Sequence, residues 1–170
     1  LGSFMDFCQL DARHLAICTL WGRTSPADAP NLIYIVDMQT KEVVRSFFLN
    51  PAANAGMGLS AHFSRYGGQA LLSNYLTTDI YAFTADSGSV RYHVDVDGRN
   101  SPEGFWTSYK HGLDLIRAYS DQGYIDHIPF FMESDHRILL YYMGGREELQ
   151  GYAWIDKQSG EVHSFKQFAF

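Results

Sequence analysis

Ala61-His62-Phe63-Ser64-Arg65-Tyr66, then Gly67-Gly68, then Ala70-Leu71-Leu72-Ser73 opens the stretch that decides the fold. It continues through the loop Asn74–Asp79 into Ile80-Tyr81-Ala82-Phe83, the turn Asp86-Ser87-Gly88-Ser89 and Val90–Val96. The runs are rich in β-branched and aromatic residues, and glycine supplies the positive φ that tight hairpin turns need. Four antiparallel strands within forty residues make one blade of a β-propeller.

The blade recurs. Asp37-Met38-Gln39-Thr40-Lys41-Glu42-Val43 and Asp156-Lys157-Gln158-Ser159-Gly160-Glu161-Val162 agree at Asp, Gln, Glu and Val. Thr84-Ala85-Asp86-Ser87-Gly88-Ser89-Val90 stands in the same register between them, 47 residues after the first and 72 before the last. A period of roughly 40–50 residues is that of propeller blades, so the second interval carries an insertion of about 25 residues. The expected organisation is one all-β partial propeller over residues 1–170, with three four-stranded antiparallel blades, Phe4–Leu49, Leu59–Val96 and Gly123–Phe168. A helical insertion is expected at about 99–122. Leu32–Val36, Leu71-Leu72 and Ile138–Tyr142 are apolar on both faces, as strands sandwiched between sheets must be. Arg91–Val96 alternates, as expected of an outer edge that uses charge against edge-to-edge pairing.

Working outward, 170 residues with 46% hydrophobic and 15% aromatic content bury a sizeable core in a single domain. The net charge of −6 leaves no basic stripe for nucleic acid. No apolar run is long enough to span a membrane, and no signal peptide is legible. Leu1-Gly2-Ser3 reads as a processed or truncated beginning. For the two cysteines, a Phe4–Cys8/His14–Leu20 hairpin sets Cys8 opposite His14 or Leu15, three or four residues out of step with Cys18. That register denies a disulfide, so both read as small buried apolar residues.

Loop lengths point to a face. Turns between first and second and between third and fourth strands are short: Gly67-Gly68, Ser134-Asp135-His136, Asp86–Ser89 and Ser159-Gly160. The other connections, Trp21–Asn31, Asn50–Gly58, Asp97–Gln122 and Gly144–Gln150, are long, and long loops on a rigid scaffold carry binding residues. In the insertion, Ser101-Pro102-Glu103 reads as a helix start, followed by an apolar stripe of Trp106, Tyr109, Leu113 and Ile116 and closed by Gly123. It reads either as a cover over the propeller core or as a ligand-binding lid using Trp106, Tyr109, Lys110, His111 and Arg117. Trp21, Arg23 and Arg146 join the candidates on the long-loop face. Asp6, His62, Ser64 and Asp126 on the first strands are candidates to line a central channel.

No metal-binding motif, nucleophile elbow or phosphate loop is present, so no metal ligand, cofactor or catalytic residue is assigned. Asp126-His127 and Glu133 with Asp135-His136 are the only local acid–imidazole groupings, read as surface or turn histidines.

The chain resembles the C-terminal half of a six-bladed β-propeller family of secreted bacterial proteins, many of them lipoproteins of unknown function, related in fold to NHL-repeat propellers. The resemblance rests on Asn74-Tyr75 through Asp79–Phe83, on Tyr92–Gly98 leading into Ser101-Pro102-Glu103, and on Tyr152–Gly160. It covers most of Leu59–Phe165. It implies an extracytoplasmic location and a binding role, with a glycan, peptide or protein as ligand; a metal-dependent propeller hydrolase or lactonase is the alternative. The chain departs from the family in showing only three blades and no export signal. Three blades cannot close a ring. Open faces bearing Leu15, Ile17, Ile33, Leu139 and Tyr141 are therefore expected to meet the remainder of a longer propeller or a second copy.

Overall fold

The computed structural model describes residues 4–19, 31–49, 61–74 and 77–166. Twelve described strands form three four-stranded antiparallel sheets, each in chain order. The first blade is β1 (Phe4–Gln9), β2 (His14–Thr19), β3 (Asn31–Asp37) and β4 (Val43–Leu49). The second is β5 (Ala61–Tyr66), β6 (Gln69–Asn74), β7 (Asp79–Phe83) and β8 (Gly88–His93). The third is β9 (Ile125–Glu133), β10 (Arg137–Gly144), β11 (Gln150–Asp156) and β12 (Val162–Phe165). First strands of neighbouring blades pack together, β1 on β5 and β5 on β9.

Two cores hold the blades face to face. Ala16, Cys18, Ile33 and Ile35 of the first blade meet Ala70, Leu72, Tyr81 and Phe83 of the second. On the opposite face of the second blade, Leu71, Ile80 and Ala82 meet Ile128, Phe131, Ile138, Leu140 and Ala153 of the third. Successive strand residues point to opposite faces, so a sheet serving both cores must be apolar at consecutive positions, as β7 is. The outermost strands β4 and β8 are largely exposed.

The repeat marker has one physical cause. Asp37 Oδ1 accepts the N–H groups of Gln39 and Thr40, and Asp156 Oδ1 accepts those of Gln158 and Ser159. In the second blade Thr84 Oγ1 does the same for Asp86 and Ser87. A side-chain oxygen closing the turn two and three residues on is what selects Asp or Thr there. Met38 N–H reaches Arg13 C=O, and Lys157 N–H reaches His136 C=O, so these turns share a face with the first-to-second turns. The equivalent positions Lys41 and Gly160 both take a left-handed backbone, φ 61° and 74°.

Four expectations are corrected. First, the helix α1 spans Gly112–Gln122, not the whole insertion. Gly104, at φ 77°, breaks a helix from Pro102, and only a 3-10 turn, Trp106–Ser108, forms before Tyr109 turns extended. The break resets the helical phase. Leu115 and Tyr119 are buried, whereas Leu113 and Ile116 are 72% and 47% exposed. The expected stop at Gly123 is present, at φ 71° with its N–H on Ser120 C=O.

Second, the β1–β2 register sets Cys8 opposite Ala16 and Cys18 opposite Asp6. The thiols are two residues out of step, on one face, and both are free. The hairpin turns at Leu10–Arg13 as expected and closes on Leu10 N–H to His14 C=O, with Asp11 Oδ1 taking the Arg13 and His14 N–H groups. Burial pushes the Cys18 thiol up to about 12. Third, Ile33 lies in the core against the second blade and Ile17 is buried too. Leu139 and Tyr141 are half-buried, on the face of the third blade that points away from the second. Fourth, Arg91 does not serve as an exposed edge charge. A bulge between Ile80 and Tyr81 swings it toward the third blade.

Candidate functional site

The insertion and the start of β7 build a cleft on the long-loop face. Asp79 is the cross-strand partner of His93, and Asp79 Oδ1 lies 2.7 Å from His93 Nδ1. Beyond His93 the chain leaves the sheet. Val94 N–H bonds Thr78 C=O, and Asn100 then fixes the departing segment. Its Nδ2 donates to Thr78 Oγ1 (2.6 Å) and Val94 C=O (2.8 Å), while its Oδ1 accepts Val96 N–H (3.0 Å). The 3-10 turn follows, with Thr107 and Ser108 hydroxyls on Gly104 C=O. Between these pieces lies a cleft of about 430 Å³, lined by Thr77, Thr78, Asp79, His93, Asn100, Ser101, Pro102, Glu103, Gly104, Trp106 and Thr107. Its lining combines hydroxyls, an amide, two carboxylates, an imidazole and one indole.

Trp106 belongs both to this cleft and to the core shared by the first two blades, where it packs on Tyr119 (centroids 5.3 Å) and edge-on to Phe105 (5.7 Å). It is 7% exposed. The insertion therefore covers core. Tyr119 Oη donates to Met143 C=O and Ser120 Oγ to Gly145 C=O, tying α1 to the end of β10. A Cβ on Gly145 would lie 2.5 Å from Ser120 Cα, so only glycine permits that approach.

The remaining sequence candidates scatter. Tyr109 packs edge-on to Phe105. Lys110, His111 and Arg117 are exposed and line none of the described clefts. Arg146 donates to the Ser120 and Asp121 carbonyls, the negative end of the α1 dipole. Trp21 and Arg23 lie outside the described residues. On the first strands, Asp6 is half-buried and its Oδ1 accepts Phe7 N–H. His62 packs on Phe130 (5.2 Å) at the junction of β5 and β9, beside half-buried Ser64. Asp126 is in β9, its side chain outside the described part. Next to it, His127 corrects the expectation of a surface or turn histidine: it lies within β9 and is buried, and desolvation pushes its pKa down to about 3, keeping the imidazole neutral. Among the described residues no three His, Cys, Asp or Glu side chains converge as a metal site requires.

Sequence reasoning missed Thr78, Asp79, His93, Asn100 and Glu103. Counting back from the Asp86–Ser89 turn sets Asp79 beside the wrong partner, because the bulge at Ile80/Tyr81 shifts the pairing by one. It also missed the cluster around Glu133, whose side chain is fully buried. Glu133 accepts Arg91 Nε (2.7 Å) and Nη2 (2.9 Å), Tyr92 Oη (2.8 Å) and Lys157 Nζ (2.8 Å). Lys157 also reaches Tyr66 Oη (3.1 Å) and lies 4.2 Å over its ring. Burial pushes the Glu133 carboxyl upward, but the three cationic and phenolic donors outweigh it and hold the carboxyl below its usual range. The cluster joins β5, β8, β9 and the third blade's last turn, so it clamps second blade to third.

Three four-stranded antiparallel sheets packed around neighbouring first strands define a β-propeller segment. The chain belongs to the protein family described as a 6-bladed beta-propeller, whose model matches residues 2–170. No curated protein matches the sequence. Among solved structures, the crystal structure of a Bacteroides fragilis NCTC 9343 protein assigned as exported is similar, with a TM-score of 0.74 at 12% identity. The match covers 96% of this chain and 46% of that one, so the chain spans about half the length of that protein. At that identity the likeness is one of fold. Among the described residues no helix is long and apolar enough to cross a membrane.

Proposed function

We propose that the chain is a non-enzymatic binding module, working outside the cytoplasm, that holds a glycan in the long-loop cleft. The observation that carries this reading is the cleft's lining. The Asp79 and Glu103 carboxylates and the His93 imidazole suit a polyol, held in place by the hydrogen bonds of Thr78, Asn100 and Thr107, and Trp106 supplies an apolar edge for a sugar ring. Lys110, His111 and Arg117, exposed on the same insertion, are contacts for a ligand longer than the cleft. The location is supported by the similar protein assigned as exported.

Saturation-transfer NMR with maltotriose, cellotriose and chitotriose tests it. At least one sugar receives saturation from the protein, and the signal is lost in the Glu103→Gln, His93→Ala double variant while its thermal midpoint holds. No transfer to any of the three overturns the glycan reading, and the appearance of cleaved or altered sugar overturns the non-enzymatic one.

A further inference from the structure

A second opening lies on the rim of the molecule, between the second and third blades. It encloses about 400 Å³ and is lined by Tyr92–Asp97 on one side and by Phe131, Ile138, Leu140, Ala153, Ile155 and Val162 among those on the other. It exists because β8 ends at His93. Val94 is drawn back to Thr78, and Asn100 holds the segment beyond it, so the second blade's last strand peels away before it has covered the third blade. The floor is left apolar. The rim is acidic: Asp97 sits at φ 53° beside Gly98 at φ 65°, and Asp95 Oδ1 accepts Gly98 N–H at 2.9 Å. Among the described residues no Lys or Arg lines the groove. It shares only His93 with the long-loop cleft.

We infer that this groove binds a small amphiphilic cation, an alkyl chain or apolar ring ending in an ammonium group. The tail lies along Ile138, Leu140 and Ile155, and the ammonium pairs with Asp95 and Asp97. The volume falls in the range of small-molecule sites, which are mostly apolar with a few convergent polar groups. A carboxylate pair beside a low-dielectric floor selects the cation over an anion of equal length. A polar ligand such as the sugar of the long-loop cleft gains little here, so this site stands independently of that reading.

The test uses n-octylammonium and octanoate as matched probes on the 170-residue chain, followed by methyl NMR and calorimetry. Octylammonium shifts the methyls of Ile138, Leu140 and Ile155 and binds at least tenfold tighter than octanoate. The Asp95→Asn, Asp97→Asn variant abolishes that preference while the methyl shifts persist. Asn keeps the acceptor that Gly98 N–H needs, so the fold is retained. As a second variant, Val162→Glu at the exposed mouth, 60% accessible, strengthens octylammonium binding and weakens octanoate. Equal affinity for the two probes overturns the charge assignment. Unshifted Ile138, Leu140 and Ile155 methyls, or shifts confined to the Leu139 face, overturn the site.

Discussion

Replacing Glu133 by Gln tests whether the clamp between the second and third blades is held by charge. The carboxylate is fully buried and takes four donors, three of them on Oε1. A Gln amide offers one acceptor oxygen and turns two N–H donors toward groups that are themselves donors. Arg91 and Lys157 would then lose their counter-charge. Breaking a buried pair this way costs about 3–5 kcal/mol. Because Arg91 and Lys157 keep 26% and 24% exposure, water softens the loss, and the expected cost is near the lower end, about 3 kcal/mol. Against a total stability of roughly 5–15 kcal/mol for a domain, that is a large shift. Urea titrations report it as a lower midpoint at unchanged slope. The triple change Glu133→Leu, Arg91→Met, Lys157→Met recovers most of the loss, since an apolar cluster avoids the desolvation of charge. A Glu133→Gln variant within about 1 kcal/mol of the parent would mean that charge does not hold this clamp. Since the carboxyl titrates below its unfolded value, its contribution is present above about pH 4.3 and is lost as pH falls through the folded value.

Three further outcomes follow from single positions. Lys41→Gly stabilises by about 0.5–1 kcal/mol because it relieves a left-handed backbone that the equivalent Gly160 takes freely, and Gly160→Ala loses about 1, both read from thermal melts. Trp106→Ala costs about 3–5 kcal/mol by the same measurement, as removal of a core indole should; an unchanged midpoint would place the ring outside the core. His127 stays neutral in the fold down to about pH 3, so below about pH 6.5 the unfolded chain binds a proton that the folded chain does not. Stability therefore falls by about 1.4 kcal/mol per unit as pH drops from 6.5 toward 3. Urea midpoints at pH 7.5, 6.0 and 5.0 check this, and His127→Phe flattens the trend.

What the sequence made legible is local. The Asp37, Thr84 and Asp156 turns announce themselves because a turn closed by a side-chain oxygen restricts that position to a few residue types. Strands apolar at consecutive positions are equally plain, since two cores claim their two faces. What escaped depends on distant or irregular events. Helix α1 starts late because of one left-handed glycine, Gly104, within a segment that otherwise reads as a helix start. Pro129, with no N–H to give, lies where the β9–β10 register slips, between the Tyr141–Phe130 and Met143–His127 pairs. Asp79 meets His93 only through a bulge. Arg146 reads as a ligand contact, yet it serves the carbonyls of α1 from across a loop. Glu133 sits among acids and histidines in sequence but is neutralised by Arg91 of the second blade and by Lys157, 24 residues further along its own blade.

The family is six-bladed, and these sheets are three of its blades. On the third blade's face away from the second, Leu139, Tyr141, Tyr152, Trp154, His163 and Phe165 share one side of the sheet, with Tyr141 tilted against Tyr152 (4.7 Å) and Trp154 stacked on His163 (4.1 Å). All six are half-buried, and such a face calls for a neighbouring sheet. Sedimentation equilibrium on the 170-residue chain alone asks this most directly. The chain is expected to self-associate through that face to twice the 19.3 kDa chain mass, and Tyr152→Lys to reverse it. A monomer that stays soluble and unfolds cooperatively at every concentration would contradict it.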